Sequence, residues 1–129
     1  MSDLYDTCVF IDYWNGDSAA VSLIDSVMKN PLSALYSAIS VMELWQFAGL
    51  GRQEEIEYVA LTRYFLQEAP LSAAAAMKAG AWLRSYSRAA RMRLTADALV
   101  AATAEGRGDT VRTRNCRDIQ RFYSKVQDY

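Results

Sequence analysis

Apolar and polar positions along the chain separate into short runs with different periods. Leu4 to Ile11, LYDTCVFI, is rich in Val, Ile, Phe and Tyr and ends on polar Asp12, so it is expected to be a buried strand. Asn15-Gly16-Asp17-Ser18 supplies a turn and N-cap residues, and a helix is expected from there to about Asn30, where Pro31 stops it. Leu35 to Ile39 suggests a second short strand. Ser40 opens a helix to about Gly49, and Gln53 to Gln67 a longer one. Leu71 to about Arg91 reads as one helix with an alanine-rich first half. Thr95 then caps another helix running to Glu105, and residues 106–109 form a turn. Thr110 to Thr113 suggests a strand, Asn115 to Phe122 a short helix, and Ser124 to Gln127 a last strand.

Strands alternating with helices predict an α/β fold, with a central, mainly parallel sheet of four to five short strands flanked by helices. The length of 129 residues suits a single domain over 1–129. There is no apolar run of membrane-spanning length, and the acidic start, Met1-Ser2-Asp3-Leu4-Tyr5-Asp6, lacks a basic n-region. A cytoplasmic protein with no membrane partner is the expectation. Two cysteines, Cys8 and Cys116, make neither a disulfide framework nor a zinc site.

Charge is unevenly spread. Up to Gly51 the only basic residue is Lys29, whereas nine arginines follow from Arg84 onward. An arginine-rich half is compatible with a phosphate-bearing partner. The absence of histidine excludes a Ser-His-Asp triad, a Cys-His dyad and imidazole-driven RNA cleavage. Hydrolytic chemistry here would need carboxylates, a metal ion or lysine.

Carboxylates at strand ends and helix starts are the candidates for that chemistry, since parallel sheets place sites beyond the carboxyl ends of their strands. Asp6 lies inside an apolar run and needs a hydrogen-bonding loop or a cation. Asp12, at the end of that run, could equally be a solvated turn residue. Glu43 fits a capping box with Ser40, or opens onto a cleft. Asp97, placed in the first turn after Thr95, suits the helix macrodipole, but that does not explain the alanines around it. Asn115 follows the Thr110–Thr113 run as a loop or cap residue, with Asp118 close behind. Four clustered acids would repel one another without a cation, and Mg²⁺ or Mn²⁺ suits an all-oxygen site.

Four segments together resemble the PIN-domain ribonucleases, and among them the VapC-type toxins of bacterial toxin–antitoxin pairs. These are YDTCVFID at Tyr5–Asp12, SAISVMEL at Ser37–Leu44, LTADALVAATA at Leu94–Ala104 and TRNCRDI at Thr113–Ile119. The resemblance implies a PIN-like fold and metal-dependent endonucleolytic cleavage of RNA, with tRNA or rRNA as substrate and 5′-phosphate and 3′-hydroxyl products. It implies Asp6, Glu43 and Asp97 as metal carboxylates and Asn115 or Asp118 as the fourth site residue. Thr7 and Thr113 become supporting hydroxyls. It also implies a homodimer and an antitoxin that lays a helix in a hydrophobic groove, for which Trp45 and Phe47 are the candidates. Arg112, Arg114 and Arg117, beside the fourth motif, are the candidate RNA contacts, and Arg84, Arg88 and Arg91 form a second stripe. Three positions depart from the pattern: Asn115 lowers the site's charge, Arg112 replaces an apolar strand residue, and Cys8 stands where Asn or Ser is usual. A catalytically silent RNA- or protein-binding module of the same fold is the alternative. A purely helical interaction domain is a third reading, and it requires that β structure be absent.

Overall fold

In the computed structural model, which describes residues 2–129, strands and helices alternate along the chain. Their order is β1 (Asp3–Tyr5), α1 (Thr7–Trp14), α2 (Ser18–Lys29), β2 (Ala34–Ser37), α3 (Ala38–Gln46), α4 (Arg52–Tyr64), β3 (Gln67–Ala69), α5 (Ala73–Leu83), α6 (Arg88–Arg107), β4 (Thr110–Arg112), α7 (Cys116–Ile119) and β5 (Val126–Gln127). The five strands form one sheet in the order β3-β2-β1-β4-β5, and every pairing is parallel. Central β1 pairs Tyr5 with Tyr36 of β2 and with Arg112 of β4. The α/β expectation holds, and the sheet rules out the purely helical reading.

Helices cover both faces. Successive side chains of a strand point to opposite sides, and in β1 Tyr5 and Leu4 do so. Tyr5 packs with Val9, Phe10, Ile24, Leu44, Tyr58 and Leu61, whereas Leu4 packs with Leu35, Val100, Ala101, Val111 and Ile119. On the second face α6 lies close to the sheet because its contact positions are small. Ala101 and Ala104 are both 0 % exposed against Leu4 and Val111, while Ala98 lets α6 pack on α5. Gly108 ends α6 in the left-handed region at φ 76°, which a residue without a Cβ adopts readily.

The chain departs from its hydrophobic pattern at four places. LYDTCVFI is not one strand: only β1 is extended, and Asp6 caps α1, accepting the Thr7 backbone N–H at 2.9 Å. Period alone cannot separate a buried strand from a buried helix over so short a run. Residues 71–91 are not one helix. The chain breaks between Leu83 and Arg88, and Ser87 caps α6 by accepting the Ala90 N–H at 3.2 Å. Thr95 is therefore not a cap. It sits inside α6, and its hydroxyl donates back to the Arg91 carbonyl at 2.6 Å, satisfying itself within the helix. The Ser40–Glu43 capping box is also absent: Ser37 caps α3, accepting the Ser40 N–H at 3.2 Å, and leaves Glu43 free to point elsewhere. Finally, the end of the expected Gln53–Gln67 helix is the short edge strand β3, after α4 stops at Tyr64.

Candidate metal centre

The carboxyl ends of β1, β2 and β4 converge, and their neighbours α3 and α6 lean over them. Asp6 is the first residue after β1. Its backbone N–H donates to the Arg112 carbonyl at 3.1 Å, so the residue is fixed by the sheet as well as by its cap. Its carboxylate is 8 % exposed. One oxygen takes the Thr7 N–H, and the other accepts the Thr113 hydroxyl at 2.8 Å from the residue just past β4. Burial raises the Asp6 pKa, and the bonds from Thr113 and Thr7 only partly offset it.

Glu43 reaches the same place from α3. Its Oε1 accepts the Thr7 hydroxyl at 2.6 Å, and Thr7 Oγ1 also lies 2.9 Å from the hydroxyl of fully buried Ser40. Burial raises the Glu43 pKa, and the nearby Asp6 charge adds to this against the Thr7 bond. Asp97 projects from the middle of α6, not from its first turn, so the macrodipole does not account for it. Its Oδ1 accepts the side-chain N–H of Asn115 at 3.1 Å. Its pKa is pushed up to about 6, first by burial and then by the charges of Asp6, Asp118 and Glu43, with Asn115 pulling the other way. Asp6, Glu43 and Asp97 thus feel one another's charge. Thr7, Thr113 and Asn115 each hold one of the three.

The family model described as PIN domain matches residues 4–124. The chain belongs to the PIN-domain family. Similar folds occur in a toxin–antitoxin complex from Klebsiella pneumoniae, at 25 % identity and TM-score 0.70, covering 98 % of this chain and 96 % of that one. FitAB bound to an IR36 DNA fragment is similar at 25 % identity and TM-score 0.71, covering 98 % and 94 %. DNA-bound VapBC from Salmonella typhimurium shares the fold at 20 % identity and TM-score 0.70, covering 99 % and 98 %. Comparison with curated protein sequences finds no match.

The remaining candidates of this PIN domain fall into two groups. Asp118 lies near enough to Asp97 to raise its pKa, but it is engaged: Arg93 and Arg121 both bond it at 3.1 Å. These arginines outweigh the effect of its burial and hold its pKa below the ordinary value. Asn115, by contrast, is brought against the three carboxylates through its side-chain bond to Asp97. Arg112 is structural in this arrangement, bonding Asp3 at 3.1 Å and the Asp128 carbonyl at 3.2 Å. Arg114 pairs with Asp17 and Asp128 and stacks over Tyr129, with its guanidinium carbon 4.3 Å from the ring centroid. Arg117 is exposed and makes no ion pair among the described residues. Trp45 and Phe47 are 44 % and 51 % exposed; Phe47 lines a small cleft with Ile11, Trp14 and Leu50, whereas Trp45 packs against Tyr58 with ring centroids 5.7 Å apart. Asp12, weighed as a solvated turn residue, is the acceptor of the Tyr129 hydroxyl at 2.6 Å.

Two features escaped the sequence. Ser40, taken for a cap, is a buried link in the Ser37–Ser40–Thr7–Glu43 chain of hydroxyls. The Ser37-x-x-Ser40 spacing was the available signal, since it fits a cap one turn earlier. Of the clamp on Asp118, Arg121 at i+3 was a local signal, whereas Arg93 was not, being 25 residues away.

Among the described residues, no three His, Cys, Asp or Glu side chains close into a metal cage. A cage is not what Mg²⁺ requires, because it keeps several waters and takes one or two carboxylates. An all-oxygen set with a carboxylate raised to about 6 by burial and by neighbouring like charges fits such an ion.

Proposed function

We propose that this PIN domain is a metal-dependent endoribonuclease and the toxin of a VapC-type toxin–antitoxin pair. The observation that carries the reading is Asp97: a half-buried carboxylate raised to about 6 first by burial and then by the charges of Asp6, Asp118 and Glu43, with the Asn115 side chain bonded to it. Similarity at 25 % identity to a toxin–antitoxin complex and to FitAB supports the biological role.

Asp6, Asp97 and Glu43 are the residues that would hold Mg²⁺ or Mn²⁺. A divalent ion there supplies Lewis-acid polarisation of a scissile phosphate and lowers the pKa of an attacking water. The chain's own groups set the geometry. Thr113 orients Asp6, Thr7 orients Glu43, and Asn115 orients Asp97, so each carboxylate presents a fixed lone pair. Glu43, half-buried with a raised pKa, is placed to hold or release a proton at Oε2, the oxygen Thr7 does not occupy. Arg117 is free to meet RNA phosphates, and Arg114 can do so by leaving Asp17 and Asp128. RNA, tRNA or rRNA, is the substrate class, and the cytoplasm is the site of action. The antitoxin docks at Trp45 and Phe47, and the cleft that Phe47 shares with Glu54 favours a partner helix with a basic flank. A homodimer completes the assembly, and residues 1–129 act as a single domain.

The silent-module alternative is favoured by one observation, the Arg93 and Arg121 clamp that removes Asp118 from the site. Cleavage of total cellular RNA by antitoxin-free protein with Mg²⁺ or Mn²⁺, beside Asp97→Asn and an EDTA control, separates the two. Metal-dependent cutting lost in the variant is the expected result. Intact RNA, together with no Mg²⁺ binding by calorimetry, would favour the silent module.

A further inference from the structure

Both cysteines of the chain sit against one peptide unit, and that peptide carries the support for the carboxylates. Cys8 lies in the first turn of α1 and Cys116 opens α7, and both are partly exposed free thiols. Cys8 Sγ accepts the Arg114 backbone N–H at 3.3 Å and lies 3.5 Å from the Thr113 hydroxyl. Cys116 Sγ donates to the Thr113 carbonyl at 3.2 Å. The two sulfurs therefore bracket the Thr113–Arg114 peptide. With standard backbone dimensions, they are at most about 9 Å apart. They are 108 residues apart in sequence, and only the β1–β4 pairing brings them together.

We propose that Cys8 and Cys116 are a dithiol modification site that hydroperoxides oxidise to an intramolecular disulfide, displacing the residues that position the carboxylates. The regulatory part rests on the proposed nuclease reading; the disulfide itself does not. Cys8 is the sulfur first attacked. It lies on one side of the Thr113–Arg114 peptide with Cys116 on the other, so a second thiol stands within reach to resolve the oxidised sulfur. Its sulfur attacks one peroxide oxygen, the O–O bond breaks, and water leaves after proton uptake. Cys8 becomes a sulfenic acid. Cys116 sulfur then attacks Cys8 Sγ, the S–O bond breaks, and a second water leaves. Two thiols lose two electrons, and one hydrogen peroxide becomes two waters.

Closing the bridge needs a Cβ–Cβ separation of about 4 Å. Cys116 Sγ must then leave the Thr113 carbonyl, and Cys8 Sγ must leave the Arg114 N–H. Thr113 is the donor to Asp6. The Asn115 N–H donates to Thr113 Oγ1 at 2.9 Å, and the Asn115 side chain holds Asp97. Moving this four-residue stretch therefore disturbs the supports of two carboxylates at once. The short α7 yields at its Cys116 end, because its other end is anchored by Ile119, 0 % exposed in the core, and by the arginines on Asp118.

The test treats the full chain with hydrogen peroxide under non-denaturing conditions, with Cys8→Ser and Cys116→Ser as controls. Thiol titration should fall from two to none, and intact mass should drop by the two hydrogens of one bridge. Peptide mapping should join Cys8 to Cys116 within a monomer. Hydrogen exchange at the Asn115 amide should speed up at least tenfold in the oxidised form, and dithiothreitol should reverse it. Mg²⁺ affinity should fall at least tenfold with it. Cys116→Ser should stop at the sulfenic acid and keep slow exchange. Independent over-oxidation of the two cysteines, or a bridge only between molecules, would overturn the disulfide. A bridge with unchanged exchange and Mg²⁺ affinity would overturn the coupling. If the reduced protein binds no Mg²⁺, the nuclease reading fails instead, while bridge and exchange still decide the thiol chemistry.

Discussion

Replacing Asp97 with Asn should make the protein more stable in the absence of metal while removing the proposed Mg²⁺ site. The Asp97 pKa stands at about 6 against an ordinary 3.8. A shift of about two units corresponds to a ceiling of about 3 kcal/mol, at about 1.4 kcal/mol per unit. Asp97 is only half-buried, so solvent screening reduces this to about 1–2 kcal/mol. A raised acid pKa fixes the sign. Below about pH 4 folded and unfolded chains both hold the proton, and the penalty is absent. Between about pH 4 and pH 6 the unfolded chain releases it first, and stability falls as pH rises. Above about pH 6 the full cost remains. In EDTA at pH 8, Asp97→Asn should therefore melt about 3–6 °C above the parent, with the gap closing toward pH 4. Saturating Mg²⁺ should raise the parent's melting temperature and leave the variant's unchanged. Calorimetric melts across that pH range check it. A variant melting at or below the parent at pH 8, or a gap constant with pH, would refute the repulsion argument.

Other outcomes follow from particular contacts. Thr7→Val should loosen Glu43 and lower Mg²⁺ affinity about 10- to 100-fold, with Thr7→Ser retaining most of it, as read by calorimetry. Arg117→Ala should leave the melting temperature unchanged and reduce the salt slope of RNA binding by about 0.7; an unaltered slope would remove Arg117 from the interface. Arg112→Met should cost about 1–2 kcal/mol in a urea titration, because it unties Asp3 and the Asp128 carbonyl at once. Gly108→Ala should cost about 1 kcal/mol, all of it backbone strain at φ 76°, since nothing lies within 4 Å of the added methyl.

The alternation of apolar runs revealed the α/β class, and the strand-end rule picked out Asp6, Glu43 and Asp97. Local pattern failed where two structures share one apolar run. LYDTCVFI hides a strand, a cap and a helix, and its carboxylate is the hinge between them. The bland reading of Asp97, a macrodipole partner in a first turn, is what the structure removes, since Ser87 starts α6 two turns before Thr95. The alanines around it are the sounder signal, because Ala101 and Ala104 report close packing on the sheet and Ala98 and Ala102 on α5. What each carboxylate bonds was invisible, since Thr7 meets Glu43 across 36 residues and Thr113 meets Asp6 across 107.

That last separation bears on how the chain matures. β1 is central, and β4 supplies one of its two neighbours from more than 100 residues away. Pairings of such range close late and slowly, because loop entropy is lost before contacts compensate. On a ribosome, β1, β2 and the helices between them emerge first and can pack, while Asp6 still lacks the Thr113 hydroxyl. A nascent chain therefore carries its acidic residues long before it carries their orientation, and the centre assembles only in the final steps of folding.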